Sequence, residues 1–234
     1  MKSLPSIGRL ISDSFNLYKS SWKLFVWLVL LPILATIAVV ALIGVIIATI
    51  LAVSGGQVTP ARIPLLIPPG LVAIVALAII NAMGKIALVK AIDLKGQTKA
   101  RDMIKFAWPL VGKYIILQLM VGIVVLVGFV LLVVPGVLFM IWYLFSSIIL
   151  VVEGLKGREA MKQSKAYIKG KFWGVLGRLV FMIAAIGLLS GIVSAIDNQA
   201  VIIVFQLVST LIIAPIATMY LYHLYQGAKV SYAA

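Results

Sequence analysis

Residues 133–178 read VVPGVLFMIWYLFSSIILVVEGLKGREAMKQSKAYIKGKFWGVLGR, and the reading of this stretch decides the fold. An apolar run breaks at Pro135-Gly136, and a second apolar run ends at Glu153-Gly154. A basic segment then leads to Phe172-Trp173 and more apolar sequence. The pattern describes a chain that leaves a membrane, lays a helix along its surface and goes back in. Arg158, Lys162, Lys165 and Lys169 are spaced 4, 3 and 4. At about 100° per residue they form one stripe of a helix, opposite Ala160, Ser164, Tyr167 and Ile168.

Working outward, the whole chain has the same character. It has 234 residues, 64% of them hydrophobic and 11% charged, and a mean hydropathy of +1.21. Globular chains are about 45–50% apolar, so the solvent for most of this one is lipid. Six apolar runs are read as transmembrane helices, at 24–53, 70–89, 114–134, 137–152, 172–196 and 200–222. The first is longer than a hydrocarbon core of about 30 Å requires, so tilt or a kink at Pro32 is expected. The expected fold is all-α: one membrane domain over 1–234, six transmembrane helices in three hairpins, and basic amphipathic helices in the interface on one side.

Between the spans the polar segments have their own pattern. Residues 1–23 are predicted to form an interfacial helix, with Ile7, Leu10, Ile11, Ser14, Leu17 and Tyr18 on one face. The segment 54–69, with Gly55-Gly56 and four prolines, reads as a loop. In 90–113, Met103, Ile104 and Ala107 share a face. Pro135-Gly136 reads as a tight turn between the third and fourth spans, and 223–234 as a short tail with no fold of its own. Three times a basic amphipathic segment precedes an aromatic residue and a two-span hairpin, at Trp22, Trp108 and Phe172-Trp173. This reads as a structural repeat.

Charge sets the orientation. The formal net charge is +14, and of the 20 basic residues only Arg62 falls on the far side of the spans. The positive-inside rule then places both termini in the cytoplasm. Because the charges sit between apolar runs, their counterpart is an anionic lipid headgroup rather than nucleic acid. The headgroup-binding candidates are Arg158, Lys162, Lys165, Lys169 and Lys171. Topology control is the simpler use of the same charges.

Catalysis finds little support. Cysteine is absent, so disulfides, thiolate metal sites and cysteine nucleophiles are excluded. His223 is the single histidine, which excludes a multi-histidine metal site. Neither a GxSxG elbow nor a phosphate-binding glycine loop is present. The expectation is no enzyme, no metal and no cofactor. Asn81, Lys85, Gln118, Arg178 and Gln206 lie within spans, where polar groups are functional candidates by default. Lys85 and Arg178 are near enough to the inner surface to snorkel, and Glu153 could pair with Arg178. Gly187, Gly191 and Ala195 form a small-residue ridge, more commonly used for packing within a chain than for dimerisation.

Pro135, Gly136, Glu153, Gly154, Ala160, Ser164, Gly170, Phe172 and Trp173 carry a resemblance. Their arrangement, a Pro-Gly break, a span ending in Glu-Gly, an Ala-x-x-x-Ser helix and Gly-x-Phe-Trp, resembles the glycerophosphoryl diester phosphodiesterase membrane-domain family and related small prokaryotic six-span proteins. The motifs cover about 45 residues. The resemblance implies a multi-pass protein of the prokaryotic cytoplasmic membrane without catalysis of its own. In some family members an attached soluble phosphodiesterase carries the metal-binding residues, and this chain has no counterpart to it. The functional expectation is a non-enzymatic module that organises lipids or a membrane or cytoplasmic protein partner. The alternative is a small transporter or lipid-moving protein, which a cavity reaching Asn81 or Gln206 would favour.

Overall fold

The computed structural model describes residues 4–53, 63–196 and 198–233. Helices account for nearly all of them, and no strand occurs among the described residues. In chain order they are α1 (Ile7–Ser20), α2 (Trp22–Val53), α3 (Ile63–Asp93), α4 (Ala100–Ala107), α5 (Val111–Leu131), α6 (Val133–Trp142), α7 (Ser146–Val152), α8 (Gly157–Ile168), α9 (Phe172–Ser194), α10 (Gln199–Val208) and α11 (Ala214–Ala233). A 3-10 turn, Trp108–Leu110, joins α4 to α5, and a π turn, Ser209–Ile213, joins α10 to α11. Six stretches are long and apolar enough to cross a membrane: Trp22–Val53, Ile67–Asp93, Ala100–Leu131, Val133–Val152, Phe172–Ser194 and Gln199–Tyr232. The chain is a multi-pass membrane protein.

Local chemistry accounts for the helix starts. The Ser6 hydroxyl accepts the Arg9 N–H at 3.4 Å and caps α1. Leu10, Ser14 and Tyr18, at four-residue intervals, form the buried face of α1, while Ile11 and Phe15 of the same helix stay exposed. The Asn198 side chain accepts from the Ala200 and Val201 N–H groups and caps α10.

The core lies at one end. Its buried residues come from α1, the first turns of α2 and α9, the last turns of α3, the α4–α5 junction, α7, α8 and α11. Away from that end the helices pair off, α2 with α3, α5 with α6, and α9 with α10. There they present large apolar side chains outward, such as Leu42, Val72, Ile123, Ile192 and Val204. Lipid solvates such surfaces without the penalty that water would impose.

Four expectations are corrected. The segment 54–69 is not wholly a loop: α3 begins at Ile63 and contains Pro68 and Pro69. Pro68 and Pro69 are the sixth and seventh residues of α3, past its first turn, so each removes one intrahelical hydrogen bond. Residues 54–62, including Gly55-Gly56 and Arg62, lie outside the described residues, as does Asp197. Pro135-Gly136 is not the turn between the third and fourth spans. The chain reverses at Leu132, which is extended (φ −166°, ψ 156°), and Pro135 sits in the first turn of α6. Gly136 serves close approach instead, because a Cβ there would lie 2.5 Å from the Phe129 ring of α5. The fourth span is not one helix, since α6 and α7 are separated at 143–145. Finally, 223–234 is not a free tail. Residues 223–233 continue α11, with Leu224, Tyr225 and Ala228 fully buried against the core.

Candidate functional site

The break in the fourth span and the helix α8 form one unit. At 143–145 the hydrogen bonds tighten, with the Leu144 N–H on Ile141 O and the Ser146 N–H on Tyr143 O, each three residues back. Trp142 O and the Phe145 N–H are thereby left without intrahelical partners. Ser164 takes both. Its hydroxyl donates to Trp142 O at 2.7 Å and accepts the Phe145 N–H at 3.1 Å. The residue is fully buried. Gly154 and Gly170, on either side of α8, take φ of +74° and +80°, which L side chains rarely adopt.

Below Ser164, Tyr167 anchors α8 to Glu153. The Tyr167 hydroxyl donates to the two carboxylate oxygens at 3.0 and 3.2 Å, and the Tyr225 hydroxyl donates to Oε1. Lys229 Nζ completes the set at 3.0 Å from Oε1. Desolvation pushes the Glu153 carboxyl up, but the Tyr225, Lys229 and Tyr167 donors together outweigh it and hold the group below its ordinary range. Asp93 has a like set of donors around it, Lys90 Nζ at 2.8 Å and the Tyr222 hydroxyl at 2.8 Å. Both acids sit at helix C-termini, where the macrodipole is unfavourable to anions. Donors from α11 compensate at both places.

The pairing of Glu153 with Arg178 does not occur. Arg178 instead donates to three carbonyls, Pro5 O at 2.8 Å, Leu4 O at 3.2 Å and Gly174 O at 2.8 Å. It fastens the segment before α1 to α9. Tyr225 and Lys229 were the residues the sequence reading missed. The signal was present in Tyr222, Tyr225 and Lys229 at spacings of 3 and 4 among Leu221, Leu224 and Ala228, a helical pattern in what reads as a tail.

The outer face of α8 is basic. Arg158, Lys162, Lys165 and Lys169 are all exposed, while Ala160, Met161, Ser164, Tyr167 and Ile168 are buried. Lys165 Nζ lies 4.0 Å from the centre of the Trp142 ring, a cation–π contact. Lys171 is half-buried and donates to Ala228 O at 3.3 Å, so it is not part of the free stripe. Phe172 packs edge-on against Trp173, which is 80% exposed.

The polar residues within spans do not converge. Asn81 is exposed and its amide donates to Leu77 O of its own helix at 2.8 Å. Lys85 is exposed on the same helix, α3, and Gln118 is exposed on α5. Gln206 alone among them lines a cleft, of about 520 Å³ between α9 and α10, with Ser190, Gly191, Ser194, Ser209 and Thr210. The Gly187–Gly191–Ala195 ridge is not packed within the chain. It is exposed, and a Cβ at either glycine would meet nothing within 4 Å. Among the described residues no three His, Cys, Asp or Glu side chains are grouped to hold a metal ion. Compared with family models, curated proteins and solved structures, the chain matches none.

Proposed function

We propose that this chain is a non-enzymatic membrane module that gathers anionic lipid through the basic face of α8. The supporting observation is the two-sidedness of that helix. Ser164 and Tyr167 tie one face to the fourth span and to Glu153, and Arg158, Lys162, Lys165 and Lys169 project from the other. A tethered helix presents its cations at a set height, so little order is lost when a headgroup arrives. Juxtamembrane basic residues contribute about 1 kcal/mol each near an anionic surface.

In this reading the spans form three hairpins, α1, α4 and α8 lie in the interface, and both termini face the cytoplasm of a prokaryote. The exposed Trp22, Trp108 and Trp173 fit headgroup depth at the start of each hairpin. The motif resemblance at Glu153-Gly154, Ser164 and Phe172-Trp173 supports the same non-catalytic role, with a lipid or a protein as partner. The acids suit it as well: Asp93 and Glu153 are occupied by tyrosines and lysines rather than converging on one cleft.

The test uses Lys162→Glu, Lys165→Glu and Lys169→Glu together, with purified protein in nanodiscs and native mass spectrometry of retained lipid. The triple variant is expected to insert normally and to lose several kcal/mol of attraction for anionic lipid, at about 1 kcal/mol per charge. Equal retention by both proteins would reduce the stripe to a topology signal. A second reading, a small transporter or lipid-moving protein, is favoured by one observation, the cleft that reaches Gln206.

A further inference from the structure

The cleft between α9 and α10 is unlike the rest of the chain's lipid-facing surface. It holds about 520 Å³ and gathers Ser190, Ser194, Gln206, Ser209 and Thr210 around Gly191. Gln206 and Thr210 are seven and eleven residues beyond Gln199, the start of α10. At about 1.5 Å per residue they are roughly 10–17 Å along the helix. A polar group that deep in a span has little water to turn to, so the state of each one matters.

Three of the hydroxyls donate within their own helices, Ser190 to Ile186 O at 2.9 Å, Ser194 to Gly191 O at 3.0 Å and Thr210 to Gln206 O at 2.8 Å. Their oxygens keep lone pairs free to accept. The Ser209 hydroxyl has no partner among the described residues, but it is buried and so is not among the groups offered to a ligand. The Gln206 side-chain amide has no hydrogen bond among them either, and it offers two donors and an acceptor. None of the described lining residues is charged. The cleft therefore presents free donors and free acceptors together, with no cation to balance an anion.

We propose that this cleft binds a lipid whose headgroup is uncharged and bears hydroxyls. A hydroxyl both donates and accepts, which matches the lining group for group. A phosphate would enter with a charge that nothing in the described lining neutralises. A separate space for an acyl chain lies further along α9. An apolar cavity of about 170 Å³, lined by Phe181, Met182, Ile186, Ile213 and Ile216, lies between α9 and α11 on the side toward the core. Gly191 leaves the floor of the cleft open, since a Cβ there would meet nothing within 4 Å. The site is at the opposite end of α9 from the α8 stripe and uses opposite chemistry, so the two readings fail separately.

The test uses the purified full chain in phosphatidylcholine nanodiscs containing either dioleoylglycerol or dioleoyl phosphatidic acid, which share their acyl chains and differ in charge. Gln206→Leu removes the free amide, and Gly191→Leu fills the cleft. Both raise the apolar character of a span, and a Cβ at Gly191 meets nothing within 4 Å, so insertion is preserved. Native mass spectrometry should show dioleoylglycerol retained by the wild type and reduced roughly threefold or more in each variant, with phosphatidic acid unchanged. The α8 triple variant should show the converse. Three results would overturn the proposal: no dioleoylglycerol on the wild type, equal amounts on all three proteins, or disulfide-linked dimers through Gln206→Cys, which would assign the cleft to a second copy of the chain.

Discussion

The fourth and sixth spans are both irregular, and they are treated in opposite ways. In the fourth, the helix stops at Trp142 and resumes at Ser146, and Ser164 from α8 satisfies the carbonyl and the N–H released there. In the sixth, the π turn Ser209–Ile213 has one carbonyl, Leu211 O, met by the Tyr18 hydroxyl at 3.2 Å. Its own Ser209 hydroxyl stays buried and without a partner among the described residues. One irregularity is closed by a neighbouring helix. The other is met at one carbonyl from α1 and keeps a buried hydroxyl without a partner among the described residues. A kink whose freed groups are all taken is fixed by its neighbour, whereas one with an unmet polar group is held less firmly.

The sharpest way to break this comparison is at the two serines. Ser164→Ala removes both hydrogen bonds without adding bulk, leaving two buried backbone groups unsatisfied at about 1–3 kcal/mol each. Thermal unfolding in detergent should show a large loss of stability. Ser209→Ala removes a hydroxyl with no bond to lose and should stay within about 0.5 kcal/mol of the wild type. Similar losses in both would mean that the two irregular spans are equivalent.

A smaller effect is expected at two glycines. Gly136→Ala drives a Cβ to 2.5 Å from the Phe129 ring, and overpacking of that kind costs about 1–3 kcal/mol. Gly191→Ala meets nothing within 4 Å and replaces the poorer helix former, so it should be neutral or stabilising by up to about 1 kcal/mol. The same unfolding measurement checks both, and a destabilised Gly191→Ala would show that α9 is packed after all.

The smallest effect sharpens the tight region. Glu153 has its pKa held below the ordinary value of 4.5. Its contribution is therefore present above that value and is lost as pH falls through the lowered native pKa. Hydrogen exchange of residues 226–233, corrected for intrinsic rates, should show protection that is flat from pH 8 to 5 and declines only under stronger acid. Glu153→Gln should remove the acid-dependent step. An unchanged step in that variant would place the titrating group elsewhere.

Particular residues show where sequence reasoning succeeded and where it stopped. The two faces of α8 were legible because Arg158, Lys162, Lys165 and Lys169 repeat at helical spacing, which is a property of neighbouring residues alone. The partner of Glu153 was not. Arg178 is nearer in sequence than Lys229 and has the right charge, but the carbonyls of Leu4 and Pro5 claim it. Nothing in the 20 or so residues around either group encodes which of two cations, on different helices, will arrive. The helical end of α11 was hidden for a related reason. Its periodicity is short and partly polar, and it becomes decisive only once Tyr222 and Tyr225 meet Asp93 and Glu153.

By itself the sequence determined that this is a multi-pass helical membrane protein, and nearly where each apolar run lies. Hydropathy summed over a span is a local quantity, and lipid leaves the backbone little choice but to satisfy its hydrogen bonds within each helix. Only the tertiary structure decided that the chain reverses at Leu132 rather than at Pro135-Gly136 and that the fourth span breaks at 143–145. It also decided that the glycines at 187 and 191 face outward rather than inward. Lipid is as apolar as the helices it surrounds, so hydropathy cannot say which faces meet. That choice falls to close fits such as Gly136 on Phe129 and to single polar side chains such as Ser164, whose partners are far away in sequence.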